Sequence, residues 1–322
     1  MRVLLDLCHP ADVHFFREVE RKIIERGHDV IYTARDKDVL LNLCEEFNMN
    51  YNVLGGHQFS TIGKGLELIN RTIKMSKLVK KRRVDVLVGF GNPYIVLASK
   101  LCDKKSLFLT DTENSGLANK IGLFATTILT PEWFTNLNLD KQKRTKWFKE
   151  LSYINEPKKL KKEIQTKYVI VRKVAWTANH DRTHRGLDSI AIIKNNITEN
   201  PVWIIKEKHK HTSSLRNGKN IRLFHKLLAN ASVVISEGAT TAAEAALMGI
   251  PTIYVNTQKP GYILKLVNAK VLHLASDSLN AALIARKILE SEEKTSSDLK
   301  SIRDECIDIA SYTAKLITGH FN

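Results

Sequence analysis

VVISEGATTAAEAALMGIP, residues 233–251, runs on into Thr252–Val255 and reads as strand, tight turn, helix, glycine stop and strand. Val233–Ile235 is a short β-branched run of the kind that forms a core strand. Ala242–Met248 contains no helix breaker, and Gly249 and Pro251 mark its end. A strand that returns to a strand through a helix makes a βαβ unit, the building block of a parallel sheet. The start of such a helix offers free N–H groups and the positive end of the helix dipole. The turn Ser236-Glu237-Gly238, with the hydroxyls of Thr240 and Thr241, is therefore a candidate anion site suited to a diphosphate. Glu244, one turn further in, is a candidate acceptor for the hydroxyls of a ribose. An ordinary βα turn capped by threonines, with an exposed Glu, accounts for the same letters about as well.

The same rhythm extends in both directions. Towards the N-terminus, the apolar runs Val3–Leu7, Asp29–Thr33, Tyr51–Leu54, Val84–Val88, Leu107–Leu109 and Thr127–Leu129 predict strands. Between them, Val13–Arg26, Lys37–Phe47, Leu66–Lys80, a helix opened by Pro93, and Gly116–Phe124 predict helices. The rhythm breaks over 131–166, where basic residues crowd and one helix is expected. It resumes with strands at Tyr168–Val171, Val202–Ile205 and Val271–Leu274, helices at Gly186–Asn196, Arg222–Ala229 and Ser278–Glu290, and a long helical segment from about 296 to 317. This predicts an α/β protein of two doubly wound, Rossmann-like domains, 1–150 and 151–322, with the last helix a candidate to pack back on the first. Ligands in such sheets bind beyond the carboxyl ends of the strands, so two facing domains are expected to form a cleft between them.

Composition sets the outer bounds. A chain of 322 residues with 43% hydrophobic and 26% charged residues fits a two-domain globular protein. No run of about 18 apolar residues is present, so a membrane-spanning helix is not expected. Met1–Leu7, interrupted by Asp6, reads as a core strand rather than a leader. Cys8, Cys44, Cys102 and Cys306 stand far apart with no CxxC pair, which suits reduced thiols and a cytoplasmic location. The net charge of +16 favours anionic partners. Residues 1–154 carry +6 and residues 155–322 carry +10, without a block that forms a basic tail.

The stretch Glu237–Pro251 resembles the signature of GT-B enzymes that handle nucleotide sugars. Gly238, Ala239, Thr241, Glu244, Gly249 and Pro251 stand in register with the GlcNAc transferase of peptidoglycan lipid synthesis. The UDP-GlcNAc 2-epimerases are similar, with Ser-Gly-Gly before Glu-Glu-Ala. Over the whole chain the resemblance is nearest to a mostly archaeal family of GT-B-like proteins with a domain of unknown function. HPADVHFF (9–16), GHDVIYTAR (27–35) and VRKVAWTANHD (171–181) carry it. The resemblance implies a GT-B architecture and a nucleotide-sugar substrate, with Glu244 on the nucleotide ribose. No bound cofactor and no metal are expected.

Further candidates lie at the ends of other predicted strands. In the first βα loop, His9 or Asp12 is a candidate general base, and Asp12 equally suits capping of the next helix. Asp111 and Glu113 alternate after another strand. The 2-epimerases carry His-x-Glu at a similar place, which makes Glu113 a candidate acid or base with Asp111 beside it. Gly91 and Asn92 belong to a glycine turn whose amides are candidates to cradle part of an acceptor. In the second half, Arg172 and His180 are candidates for a donor phosphate. Arg71–Arg83 is a basic helix with Leu66, Ile69 and Ile73 on an apolar side. Such a helix is more often a solvated face than a contact with an anionic membrane.

The function expected is transfer of a sugar from a nucleotide-sugar donor, UDP-linked by preference, to a glycan or lipid-linked acceptor. Polysaccharide biosynthesis at the inner face of the membrane fits that reaction. A UDP-sugar 2-epimerase is the alternative within the same architecture. A nucleic-acid-binding protein is the alternative outside it, allowed by the charge and disfavoured by the absence of a recognised motif.

Overall fold

The computed structural model describes residues 1–37, 39–56, 61–113, 115–135, 139–154, 167–174, 185–206, 221–291 and 298–319. The chain divides into two compact units. The first comprises the described residues of 1–152 and the C-terminal stretch from Ile307; the second comprises those from Tyr153 to Cys306.

The first unit opens β1 (Arg2–Leu7), α1 (Pro10–Ile24), β2 (Asp29–Asp36), α2 (Leu40–Glu46) and β3 (Tyr51–Gly56). It continues α3 (Thr61–Arg82), β4 (Val86–Phe90), α4 (Pro93–Cys102), β5 (Lys105–Leu109), α5 (Gly116–Gly122), β6 (Thr127–Pro131) and β7 (Gln142–Thr145). The seven strands are parallel in the order β3-β2-β1-β4-β5-β6-β7. Strands covered on both faces read as nearly continuous apolar runs, and Val3–Leu5 and Leu107–Leu109 are fully buried accordingly. β7, with sequence Gln-Lys-Arg-Thr, falls inside the stretch where the rhythm breaks. It is an edge strand, and edge strands carry charge rather than an apolar pattern, so periodicity does not mark it. Of the stretch 131–166, where one helix is expected, the described part holds a 3-10 turn at Lys149–Ser152, and 136–138 and 155–166 lie outside the described residues.

The second unit contains β8 (Val169–Lys173), α6 (Ile190–Asn196), β9 (Val202–Lys206), α7 (Ile221–Asn230), β10 (Val233–Ser236), α8 (Ala239–Leu247) and β11 (Thr252–Tyr254). It ends with α9 (Gly261–Asn268), β12 (His273–Leu274), α10 (Ser278–Ser291) and α11 (Asp298–Glu305). Its five strands are parallel in the order β12-β11-β10-β8-β9. The core lines Val169, Val171, Val233, Ile235 and Ile253 against Ala281, Ala282, Ala285 and Ile288 of α10. The single long helix expected near the C-terminus is two. α11 stops before 306, and Asp308 caps a new helix, α12 (Ile309–Thr318), by accepting from Ser311 N. α12 packs on α1 within the first unit.

Both sheets reverse their winding direction at one point. In the first unit the chain builds β1-β2-β3 to one side and resumes at β4 on the other side of β1. In the second it moves from β8 to β9 and resumes at β10 on the other side of β8. The crevice beyond the carboxyl ends of the two strands at such a reversal is where open α/β sheets bind ligands. These crevices lie at the β1–α1 and β4–α4 loops and at the β8–α6 and β10–α8 loops.

Candidate functional site

In the second unit, register places Arg172 opposite Ser236 at the ends of β8 and β10. Glu237 N donates to Arg172 O at 3.0 Å, locking the β10–α8 turn to β8. The Ser236 hydroxyl accepts from Gly238 N at 3.1 Å and donates to Gly238 O at 2.8 Å, so it folds the turn onto itself. Gly238 is the N-cap residue of α8, with extended backbone and no side-chain cap. No side chain caps the first N–H groups of α8, which lie at the positive end of its dipole. A Cβ on Gly238 would meet Val174 Cγ1 at 3.2 Å, a tight approach to the chain leaving β8. Thr240 and the more deeply placed Thr241 follow in the first turn of α8. Arg172, whose Nη1 donates to Lys173 O at 3.1 Å, supplies positive charge beside this helix start.

Glu237 has another role. Its Oε2 accepts from Val174 N at 2.9 Å and its Oε1 from Leu187 N at 2.8 Å, with Lys173 Nζ 3.8 Å away. Both carboxylate oxygens of this buried side chain hold backbone, one residue at each end of the β8–α6 connection. Asn256 Nδ2 closes the same turn by donating to Glu237 O at 3.0 Å. Glu237 thus positions the loops on both sides of the turn. His180, in that connection, lies outside the described residues.

Glu244 is nearly buried on α8. Tyr153 donates its hydroxyl to Glu244 Oε1 at 2.9 Å, and His225 Nε2 stands 3.4 Å from the same oxygen. Burial pulls the His225 imidazole down, but the adjacent Glu244 carboxylate outweighs it and holds its pKa above the ordinary value. No local pattern marks Tyr153 or His225 in the sequence, because they meet Glu244 only through the fold.

In the first unit, His9 is the N-cap residue of α1 and Pro10 its first residue. His9 Nδ1 accepts from Ala11 N at 3.3 Å. With Nδ1 accepting, a neutral His9 ring carries its proton on Nε2. Asp12 completes the capping box: its Oδ2 accepts from Cys8 N and His9 N, both at 2.9 Å. Burial pushes the Asp12 carboxyl up to about 7, against the pull of those two backbone donors and of Lys149. A carboxyl titrating near neutrality suits general-base work.

Asn92 is fully buried. Its Oδ1 caps α4 by accepting from Tyr94 N at 3.0 Å, and its Nδ2 donates to Asp6 Oδ2 at 2.6 Å. Asn92 therefore ties β4 to β1 at the reversal point, with both ends of its amide used. Gly91 takes φ +57, and a Cβ on Gly89 would fall 2.8 Å from Asn92 Cβ, so this glycine turn is built for close approach. Asp6 also accepts from Thr33 Oγ1 at 2.5 Å and pairs with Arg71 Nη2 at 2.6 Å. Arg71, read from sequence as part of the basic helix, is instead buried and turned towards Asp6 near the carboxyl end of β1. Its partner is the acid that interrupts the first apolar run.

Asp111 pairs with Lys149 Nζ at 2.5 Å, and Lys149 also lies 3.1 Å from Glu150 Oε1. Glu113 accepts from Thr135 N at 3.1 Å and from Thr135 Oγ1 at 3.4 Å. Lys149 therefore joins Asp111 directly and Asp12 through its field, while Glu113 braces the loop after β6. Among the described residues no group of three or more His, Cys, Asp or Glu is placed to hold a metal ion.

Comparison with solved structures finds this architecture repeatedly. UDP-GlcNAc 2-epimerase from Neisseria meningitidis bound to UDP-GlcNAc matches with a TM-score of 0.65 at 10% identity, over 99% of this chain and 99% of that one. MurG from Acinetobacter baumannii matches with 0.59 at 12%, over 99% and 100%. The spinosyn rhamnosyltransferase SpnG matches with 0.63 at 15%, over 100% of both chains. At such identities the likeness shows the fold, which is GT-B. No curated protein matches the chain. The family model described as a protein of unknown function, DUF354, matches residues 1–183 of the 322, more than half, and the chain belongs to that family.

Proposed function

We propose that this protein is a glycosyltransferase that takes a sugar from a nucleotide-sugar donor, UDP-linked, and passes it to a hydroxyl of a glycan or lipid-linked acceptor. The observation that carries the reading is the β10–α8 turn. At the reversal point of its sheet, a helix start without a side-chain cap lies beside Arg172, with a buried carboxylate one turn further in. Donor phosphates would take the N–H groups of Ala239 and Thr240, the hydroxyl of Thr241 and the charge of Arg172. The ribose would use Glu244. The fold's occurrence in an epimerase bound to UDP-GlcNAc and in a rhamnosyltransferase supports a nucleotide-sugar substrate.

In the reaction proposed, the acceptor O–H gives its proton to Asp12. The acceptor oxygen bonds to the anomeric carbon, and the bond from that carbon to the diphosphate breaks with its electron pair leaving on the phosphate. Arg172 and the start of α8 stabilise the charge that develops there. His9 offers a donor at the same loop. Epimerisation of the donor sugar is the weaker reading. It calls for carboxylates beside the sugar, and Asp111 is already tied to Lys149 and Glu113 to Thr135.

Calorimetric titration of UDP, GDP, CMP and dTDP into the wild type and Glu244→Ala tests the donor site. One nucleotide is expected to bind and to weaken at least tenfold in the variant. If none binds at low or moderate salt, the assignment fails. Incubation of UDP-GlcNAc without acceptor then separates the two reactions, since only an epimerase yields the 2-epimer under those conditions.

A further inference from the structure

The first half of helix α3 mixes its two faces. Beside Leu68, which packs on the core, it turns polar side chains into the unit: Glu67, Arg71 and Thr72 are buried, with Glu67 paired to Arg35 at 2.5 Å and Arg71 to Asp6. Beside Asn70, its outward side chains include three aliphatic ones. Leu66 is 64% exposed, Ile69 60% and Ile73 45%. A surface helix normally turns its aliphatic side chains inward and its polar ones outward, and aliphatic residues stacked along successive turns of an outer face mark a contact surface.

The outer face changes character along the helix. Beyond Ile73 it carries Lys74, Lys77, Lys80 and Lys81, all exposed. Lys74, Lys77 and Lys81 line a shallow groove of about 370 Å³ with Asn52, Val53, Leu54 and Leu78. Val53, at 51% exposure, extends the aliphatic surface onto the strand beside it. The only acid within α3, Glu67, is on the buried side.

We propose that the outer face of α3 docks on an anionic phospholipid bilayer. Leu66, Ile69 and Ile73 would enter the boundary between headgroups and acyl chains, and the lysines would meet the headgroup phosphates. Charge complementarity selects this occupant. A second copy laid on the same face would bury lysines against a surface that offers no carboxylate. A bilayer supplies hydrocarbon and phosphate together.

Flotation of the full chain with vesicles tests the proposal, using phosphatidylcholine alone and phosphatidylcholine mixed with phosphatidylglycerol. The wild type is expected to float with the mixed vesicles and not with the neutral ones. Lys74→Ala/Lys77→Ala/Lys81→Ala should weaken partition by on the order of 100-fold, given the attraction each basic side chain feels at an anionic surface. Leu66→Asn/Ile69→Asn should abolish it at moderate salt. Both sets replace exposed side chains, so the circular dichroism and thermal midpoint of the variants should match the wild type. Failure of the wild type to float overturns the proposal, as does flotation of both variants at wild-type level. Concentration-dependent dimerisation of the wild type, lost in Leu66→Asn/Ile69→Asn, also overturns it and assigns the face to a second copy.

Discussion

The Tyr153 hydroxyl donates to Glu244 Oε1 at 2.9 Å, so the carboxylate proposed for the ribose is held by a protein hydroxyl before any ligand arrives. A ribose hydroxyl using that oxygen must displace Tyr153. Net, such a hydrogen bond contributes about 1 kcal/mol. Tyr153→Phe removes the competitor and should tighten nucleotide binding roughly fivefold, the equivalent of that free energy. Calorimetry on this variant checks it, and unchanged affinity would show that the ribose does not use Oε1.

The same cluster fixes a pH dependence. His225 has its pKa raised in the folded chain, so it binds more protons folded than unfolded between the two values. Its stabilising contribution is complete below the unfolded value, near 6.5, and is lost as pH rises through the folded value. His225→Gln should therefore flatten the fall in thermal midpoint of the second unit as pH rises above about 6.5. An identical slope in wild type and variant would remove His225 as its source.

Asp12 gives the opposite kind of evidence, because it is an acid whose pKa is raised. With the folded value near 7 and the ordinary value near 3.8, the folded chain holds the extra proton between them. The stability owed to this group is then greatest at low pH and declines as pH climbs towards 7. Asp12→Asn keeps an acceptor for Cys8 N and His9 N and cannot ionise, so it should remove that decline. In a transfer assay the wild-type rate should rise through pH 7 as the carboxylate forms, and the variant should lose at least a hundredfold. A variant that retains wild-type turnover would discard Asp12 as the base.

Much of this was legible in the sequence, and what was not has physical causes. Eleven of the twelve described strands follow from the alternation of apolar runs and amphipathic segments, because buried parallel strands have little freedom in composition. β7 escaped because an edge strand built from Gln142, Lys143 and Arg144 carries no such signal. α9 is not among the expected helices, and Pro260 and Gly261 stand at its start. The turn at Gly238 was readable, since anion chemistry at a helix start is local. The partners of Glu244, Asn92 and Asp111 were not, since Tyr153, Asp6 and Lys149 arrive from distant parts of the chain. Arg71 shows the limit of helical patterning. Its neighbours Lys74 and Lys77 share its charge and face outward, yet an acid on β1 decides where Arg71 goes.

Glu237 is the site residue whose loss should be most visible in stability. Its two oxygens satisfy the N–H groups of half-buried Val174 and buried Leu187. Glu237→Ala orphans both, at about 1–3 kcal/mol for each buried donor. Glu237→Gln keeps one acceptor and turns an amide donor towards the other N–H, so its loss should be intermediate. Urea unfolding followed on the second unit should rank wild type above Gln above Ala. Equal stability in all three would mean that the β8–α6 connection stands without the clamp.

Asp6 and Arg71 supply a matching asymmetry in the first unit. Both side chains are fully buried, and removing one partner from such a pair typically costs about 3–5 kcal/mol. The two removals are not equivalent here. Without Arg71, Asp6 keeps Thr33 Oγ1 at 2.5 Å and Asn92 Nδ2 at 2.6 Å as donors, so its charge remains solvated by the protein. Without the Asp6 charge, Arg71 keeps a neutral amide oxygen, the Cys8 sulfur at 3.2 Å and the Tyr94 ring 4.4 Å away, none of them an anion, and its Nε has no hydrogen-bond partner. Burial pushes the Cys8 thiol up to about 12, so that sulfur stays neutral and cannot replace the carboxylate. Arg71→Met should therefore be the milder change and Asp6→Asn the harsher, a reversal of the habit of counting an ion pair once. A chemical-denaturation series on both variants decides it, and a larger loss in Arg71→Met would mean that Thr33 and Asn92 do not carry the Asp6 charge.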